Sequence, residues 1–155
     1  MGLFRSIWLQ FCPLKMDDAD FGKLLYIYIS NDPKQSYWEG QWQFPPTGTV
    51  ISISLPGDES GPYDEARKFY LEMIPKYENL IELARPQLIA VFKQWFKKEL
   101  PKNIFTDLKL SGCNLIEARV RPVCWELSFE TTGNRWLGIT IPFEDESAKE
   151  AIVDT

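Results

Sequence analysis

The sequence predicts an α+β fold in which a mainly antiparallel sheet is covered on one face by helices. Segments with alternating apolar and polar residues lie in both halves of the chain, and a long stretch with helical periodicity separates them. Each alternating segment has one apolar face, which is typical of an antiparallel sheet that needs a covering layer on one side only. We therefore expect two layers, with the chain order strands, helices, strands.

Residues 3–11 and 24–30 are predicted to form the first two strands. The first segment alternates weakly, and its beginning, MGLFRS, also matches an N-myristoylation pattern, although a plain strand is favoured. The second segment, LLYIYIS, alternates clearly. This alternation assigns Leu25, Ile27 and Ile29 to the core and Tyr26 and Tyr28 to the open face.

Two tryptophans lie within the next segment, S36-Y-W-E-G-Q-W-Q-F44. Aromatic residues beside polar ones could stack a sugar or a base, or could form one buried face of a strand. Period-two alternation places Trp38 and Trp42 on the apolar face, so burial is favoured. Between them, Gly40 would leave room for a large ring. The polar residues Tyr37 and Gln41 are then directed to solvent.

The middle of the chain carries a helical stripe that runs from Ala66 to Trp95 and keeps its phase across Pro75 and Pro86. Both prolines fall nearly opposite the stripe. A straight helix over residues 62–99 would be about 57 Å long, whereas a compact domain of this size has a radius of gyration of about 15 Å. We therefore expect two or three helical segments, kinked at the two prolines.

The second half is again strand-like, and the whole chain, residues 1–155, is expected to be a single domain. Alternation within it assigns Arg119, Arg121, Glu126 and Trp136 to the open face. Residues 145–155 form an acidic tail that is expected to be frayed or a short helix. Besides the strands already described, the predicted strands are residues 49–55 before the helices and 105–110, 115–121, 123–130 and 136–143 after them.

The residue types that are missing exclude several kinds of site. The chain has no histidine, which removes His-based triads, His general bases and His-ligated metals. Its three cysteines are too few and too scattered for a four-ligand zinc site. No glycine-rich phosphate-binding motif occurs. We therefore predict no catalytic motif, no metal and no cofactor.

Charge and hydropathy limit the partners. The net charge of −5 disfavours binding to a phosphate backbone and would suit a basic protein, although solubility alone also explains it. No apolar run approaches the roughly 20 residues of a membrane span. The odd number of cysteines and the poor signal-peptide character of the N-terminus indicate a cytoplasmic protein. We expect no nucleic acid, no membrane, and a monomer or weak dimer.

The open face is the most informative predicted surface, because Tyr, Trp and Arg are the residue types that anchor protein interfaces. Packing of these side chains against one another across strands explains them equally well. Four predicted open-face acids, Glu39, Glu117, Glu126 and Glu130, offer an alternative, since paired carboxylates hydrolyse glycosides. The candidate partner-binding residues are Tyr26, Tyr28, Tyr37, Gln41, Arg119, Arg121, Glu126 and Trp136.

The order of elements over residues 24–143 resembles that of small uncharacterised bacterial domains. The pattern consists of a strand, the WEGQW strand, the VISI strand, a long helical pair and three or four further strands. Some of these domains lie in polymorphic-toxin loci as candidate immunity proteins. The resemblance implies a protein that blocks a partner by binding it, without a catalytic step. It assigns no functional residue, and a glycosidase-like hydrolase is the alternative.

Overall fold

The computed structural model describes residues 2–155. Within this range the chain forms two helices, ten strands and two short 3-10 turns, at Pro33–Gln35 and Ile104–Thr106. The helices and strands are α1 Leu3–Phe11, β1 Lys15–Asp18, β2 Gly22–Ile27, β3 Tyr37–Gln43, β4 Val50–Asp58, β5 Gly61–Pro62, α2 Asp64–Phe96, β6 Leu108–Glu117, β7 Cys124–Thr131, β8 Gly138–Glu144, β9 Ser147–Ala148 and β10 Ile152–Asp154.

The strands form one open sheet in the order β1-β2-β3-β4-β6-β7-β8-β10, with β5 paired to β4 and β9 paired to β8. Every pair is antiparallel except β4 and β6, which are parallel and are connected through α2. Aromatic contacts place α2 against one face: Tyr70 lies 5.9 Å from Trp42 and Phe69 lies 5.3 Å from Trp125, between ring centroids. The predicted α+β class with a mainly antiparallel sheet is confirmed.

Helix α2 is one continuous helix of 33 residues, about 50 Å long. The predicted division into two or three segments is therefore wrong. Both prolines lie inside the helix and are exposed, as their position opposite the stripe predicts. Water can solvate the carbonyl groups that lose a hydrogen-bond partner there, while the buried stripe continues on both sides. The helix ends at Lys97, which adopts the left-handed conformation with a φ of 54°.

Residues 3–11 form helix α1, and the predicted first strand is wrong. Leu3, Ile7 and Phe11 are spaced four apart, which is helical spacing that weak period-two alternation concealed. Only Leu9 of this helix is buried.

Strand β2 presents the opposite face from the one predicted. Tyr26 is 3% exposed and packs against Trp38 of β3 with ring centroids 5.1 Å apart. Leu25 and Ile27 lie on the open face and are half-buried. Apolar residues occupy both faces of this strand, so the alternation gave the correct period but could not decide which face meets α2.

The two tryptophans of β3 belong to the core, as predicted. Trp38 and Trp42 are 2% and 4% exposed. Each indole N–H donates to a backbone carbonyl, Trp38 to Asp58 at 2.8 Å and Trp42 to Asp20 at 3.0 Å. The space at the glycine between them is filled by Leu24 of β2 rather than by an aromatic ring.

The second half departs from the prediction between residues 105 and 123. One long strand, β6, replaces two predicted ones, and irregularities in its pairing with β7 shift the register twice. A bulge changes which face a side chain meets. Ile116 and Val120 alternate in sequence with Arg119 and Arg121 and so were predicted to face the core, but they are 48% and 61% exposed. Residues 118–123 form a loop with a cis peptide bond before Pro122.

The acidic C-terminal segment is paired to the sheet. Strands β9 and β10 both form antiparallel pairs with β8. The expected frayed tail or short helix is replaced by these strands, whose hydrogen bonds extend the sheet edge.

Neither described helix is both long and apolar enough to cross a membrane.

Two titratable side chains are buried where β4 meets β6. The Tyr70 hydroxyl lies 2.7 Å from the carbonyl oxygen of Ser54 on β4 and 2.9 Å from that of Cys113 on β6. Burial raises the pKa of the Cys113 thiol from 9.0 to about 12 and holds the pKa of Tyr70 well above 10. Burial also raises the pKa of Tyr77 to about 12. All three groups are therefore held in the neutral form in the folded protein.

We expect the protein to lose stability at alkaline pH because of these groups. A group whose pKa is higher in the folded than in the unfolded state favours folding fully below its unfolded pKa and loses that contribution as pH rises through its folded pKa. The free energy of unfolding should therefore fall as pH rises from about 9 toward about 12. Urea unfolding across this range measures it, and Cys113→Ala should flatten the earliest part of the decline. An unaltered slope in this variant would contradict the assignment.

Candidate binding face

The face of the sheet opposite α2 is not covered by any described part of the chain, and we call it the open face. Its residues alternate along each strand with those that enter the core. They are Lys15, Asp17, Lys23, Leu25, Ile27, Tyr37, Glu39, Gln41, Gln43, Val50, Ser52, Ser54, Pro56, Lys109, Gly112, Asn114, Glu117, Cys124, Glu126, Ser128, Glu130, Gly138, Thr140, Pro142, Glu144, Ile152 and Asp154.

A hydrogen-bonded row crosses the centre of this face. Ser54 of β4 is opposite Asn114 of β6, which is opposite Glu126 of β7. The Ser54 hydroxyl donates to the Asn114 side-chain oxygen, and the Asn114 amide donates to a Glu126 carboxylate oxygen at 3.3 Å. Each member holds the next one in place, so the Glu126 carboxylate is oriented before any partner binds.

The neighbouring row across the strands consists mostly of small residues, and its members are Gln41, Ser52, Gly112, Ser128 and Thr140. Gln41 donates to the Ser52 hydroxyl at 2.9 Å, and the Ser128 and Thr140 hydroxyls lie 3.4 Å apart. Between these pairs lies Gly112, where a Cβ would come within 3.1 Å of the Ser52 carbonyl oxygen. The middle of the open face is therefore low and polar, and a partner can approach the strands closely there.

A depression of about 240 Å³ lies at one end of the face. The guanidinium carbon of Arg119 stacks 3.9 Å from the ring centroid of Tyr63, and the backbone N–H of Arg119 donates to Glu117 at 2.7 Å. Tyr37 and Lys34 line the same depression. Burial, together with the charge of Glu39, raises the pKa of Tyr37, so its hydroxyl is a neutral hydrogen-bonding group.

A wider groove of about 970 Å³ lies at the β1–β4 side of the face. It holds two carboxylates, Asp17 and Glu39, and two lysines, Lys15 and Lys23, all of them exposed. The groove therefore combines both signs of charge in a fully hydrated setting.

Trp136 lies at the far edge of the sheet and is half exposed. Its ring passes over Gly138, where a Cβ would come within 3.2 Å of the ring. The glycine thus leaves room for the indole at the end of β8, where half of the Trp136 surface is exposed to solvent.

The structure separates the predicted partner-binding residues. Tyr37, Gln41 and Glu126 lie on the open face as predicted, and Trp136 lies at its edge. Arg119 belongs to a loop but reaches the end of the face.

The other three predicted residues lie elsewhere, and their assignment to the open face is wrong. Tyr26 is in the core, and the Tyr28 hydroxyl lies 3.1 Å from the Ser6 hydroxyl of α1. Arg121 lines a cavity of about 390 Å³ beside Phe69 of α2, on the covered side of the sheet.

Sequence reasoning missed Tyr63, Lys34 and Asn114 at this face, and it missed the hydrogen bond between Ser54 and Asn114. Tyr63 directly precedes α2, and Lys34 lies in the short 3-10 turn Pro33–Gln35. Neither residue belongs to a strand, so strand periodicity could not identify them. Their place beside Arg119 follows from the tertiary fold alone. Period-two alternation over residues 49–55 directs Ser54 to the solvent side, but its hydrogen bond to Asn114 depends on the parallel pairing of β4 with β6.

The remaining candidate carboxylates are engaged by neighbours. Glu130 pairs with Lys109 at 2.8 Å, and Glu117 accepts the Arg119 backbone hydrogen bond already described. Acids nevertheless outnumber bases among the open-face residues. The acids are Asp17, Glu39, Glu117, Glu126, Glu130, Glu144 and Asp154, and the bases are Lys15, Lys23 and Lys109.

Among residues 2–155, no cluster of three or more Cys, Asp or Glu side chains has a geometry that could hold a metal ion. The cysteines are all free thiols; Cys12 is exposed, Cys124 is partly buried and Cys113 is buried.

Comparison of the chain with protein-family models, with curated proteins and with solved structures found no match.

Proposed function

We propose that this protein binds another protein through the open face and acts by that binding alone, in the manner of an immunity protein. The observation that carries the proposal is the absence of a covering layer over this face in the described chain, together with the half-buried Tyr37 on it and the exposed Arg119 and Trp136 at its ends and edge. Exposed aromatic and arginine side chains are the types that supply most of the binding energy in protein interfaces.

The arrangement of the face supports this role. The stack of Arg119 on Tyr63 and the row Ser54–Asn114–Glu126 are ordered within the free protein. Side chains that are already ordered lose less conformational entropy on binding, so more of their contact energy appears as affinity. The low centre of the face lets a partner reach these groups together.

Charge indicates what kind of partner fits. The open face carries more acids than bases, and the whole chain has a net charge of −5. A basic protein would be attracted over distance and would associate faster at low salt. We therefore propose a basic protein partner.

A second candidate is a hydrolase, because the wide groove holds Asp17 and Glu39. A glycosidase needs one carboxyl group that stays protonated, and an apolar enclosure usually provides this. Both groove carboxylates are exposed and lie beside Lys15 and Lys23, so neither has such an enclosure. The groove therefore supports this function less well than the open face supports binding.

Substitution at the anchors tests the proposal. A protein partner is first isolated from the native lysate by a pull-down with this protein. Arg119→Ala or Trp136→Ala should then weaken binding of that partner by more than about 1 kcal/mol, which is about fivefold in Kd. The midpoint of thermal unfolding should change little, because substitutions at exposed positions rarely cost more than about 0.5 kcal/mol. Titration calorimetry with the purified partner measures the Kd.

Arg85→Ala on α2 is the matched control, since it removes an arginine away from the open face and should leave the Kd unchanged. Equal loss of binding in this control would show that the effect is not specific to the face. Turnover of a glycan that Glu39→Gln or Glu126→Gln abolishes, with no protein partner recovered, would establish the hydrolase instead.

A further inference from the structure

Helix α1 turns its apolar side away from the rest of the protein. At about 100° per residue, five large apolar side chains fall within an arc of about 140°. These residues, which we call the α1 stripe, are Leu3, Phe4, Ile7, Trp8 and Phe11, with exposed fractions of 73%, 88%, 44%, 47% and 80%. No described segment of the chain covers them. An exposed apolar patch of this kind marks an interaction site.

The opposite side of α1 fixes the helix to the body. Leu9 is 1% exposed, Arg5 pairs with Glu59 at 2.6 Å, and Ser6 contacts the Tyr28 hydroxyl. The helix thus contacts the protein through Leu9, Ser6 and the Arg5–Glu59 pair. The usual orientation of a surface helix, with its apolar side inward, is reversed.

Helix α1 has little intrinsic support. It contains nine residues, and isolated helices below about 12–15 residues are marginal in water. Gly2 provides no side-chain cap, and neither the first nor the last turn carries a charge that would favour the helix dipole. Burial of the stripe is the largest stabilising term still open to this helix.

We propose that the α1 stripe is a self-association surface that binds the α1 stripe of a second copy of this chain. The five stripe residues carry no charge, and the helix's one ionic side chain, Arg5, is paired with Glu59 while its guanidinium carbon lies 5.3 Å from the ring centroid of Trp8, at the edge of the stripe. Two copies can therefore desolvate their stripes without burying an unpaired charge, and a twofold pairing needs such a self-complementary patch. Antiparallel pairing would also align the two helix dipoles favourably.

The size of the stripe fits a dimer that dissociates on dilution. Aromatic side chains bury about 150–250 Å² each, so three of them with Leu3 and Ile7 supply on the order of 600 Å², against about 800 Å² per partner in a standard interface.

A membrane surface fits the α1 stripe less well than a second copy of the chain does. Membrane-surface helices carry Lys and Arg on their polar side, and a net charge of −5 is repelled by anionic lipid.

Sedimentation equilibrium on the wild type and on a Phe4→Glu/Phe11→Glu variant tests the proposal. The wild type should form dimers, and its midpoint of thermal unfolding should rise with concentration. The variant should dimerise at least tenfold more weakly and unfold at a midpoint independent of concentration. Val120→Glu, at a loop position that is 61% exposed, is the control and should dimerise like the wild type.

Trp8 gives a second signal. Pairing should shift tryptophan emission to shorter wavelength as concentration rises, and Trp8→Phe should remove this shift while keeping the stripe apolar. A wild type that stays monomeric up to roughly millimolar concentration overturns the proposal, as does a dimer that survives in the Phe4→Glu/Phe11→Glu variant. Binding of monomeric protein to phosphatidylcholine or phosphatidylglycerol vesicles would assign the stripe to a membrane instead.

Discussion

Replacement of Trp42 by alanine is expected to lower the free energy of unfolding by about 3–5 kcal/mol, the usual cost of deleting a large buried aromatic side chain. Trp42 is 4% exposed, and its ring contacts Phe21, Phe44 and Tyr70 at centroid distances of 5.1, 5.2 and 5.9 Å. The substitution leaves a cavity between β3 and α2 and frees the Asp20 carbonyl that accepts the indole N–H.

Urea unfolding measures this loss, and Gln41→Ala is the matched control. Gln41 precedes Trp42 on the same strand but faces the open side, so its replacement should cost no more than about 0.5 kcal/mol. An unchanged stability of Trp42→Ala, together with loss of a bound ligand, would show that the tryptophan is a stacking platform rather than core.

The second large effect is expected at Arg67 of α2. Its guanidinium donates to Asp18 and, at 2.8 Å, to Asp20. The Asp18 side chain is only 4% exposed, whereas that of Arg67 is 27% exposed. Arg67→Ala should lower the free energy of unfolding by about 1–3 kcal/mol, because it leaves a buried carboxylate without its charged donor.

Arg85→Ala is again the control, now for stability. Its side chain is 25% exposed, much like that of Arg67, but its partner Glu82 is 62% exposed. A pair of this kind contributes about 0–1 kcal/mol. Equal losses in the two variants would contradict the importance that we assign to the burial of Asp18.

The pH dependence of the Arg67→Ala effect provides a further check on the same pair. Burial alone would raise the pKa of Asp18, but hydrogen bonds from Arg67 and from the backbone N–H groups of Asp20 and Phe21 lower it below 3.8. A carboxyl whose folded pKa is depressed stabilises the fold above its unfolded pKa and loses that contribution as pH falls through the folded value. The difference between wild type and variant should therefore shrink below about pH 4.

Strand alternation predicted most of the sheet because one face of most strands is strictly apolar. Trp38 and Trp42 entered the core as predicted, and the stripe of α2 kept its phase through both prolines. The buried face of strand β2 was predicted wrongly because Tyr26 and Leu25 are both compatible with burial. Its phase is decided by the pairing of Tyr26 with Trp38 across strands, a contact that a single segment does not encode.

The continuity of α2 and the helical conformation of residues 3–11 were not predicted, for two different reasons. The sheet offers α2 a long surface, so a helix of 33 residues can remain unbroken without leaving the domain. Helix α1 buries only Leu9, so the rule that apolar residues face the core does not apply to it.

The candidate face was predicted in part. Tyr37, Gln41 and Glu126 follow from period two within regular strands. Arg121 and Tyr28 lie beyond the ends of strands, where the chain turns and alternation no longer reports direction. Arg119 also lies in a loop, and its contact with Tyr63 depends on how that loop folds back.

The single parallel pair at the centre of the sheet has a consequence for the order of assembly. Strands β1–β4 are joined by short connections, and so are β6–β8, so each group can form from contacts that are local in the chain. Ser54 and Asn114, which join the two groups, are 60 residues apart in sequence. Closing a loop of that length loses conformational entropy before any stabilising contact between its ends has formed. Contacts of high sequence separation therefore form slowly. The docking of β4 on β6, with α2 already helical between them, is therefore expected to limit the rate of folding.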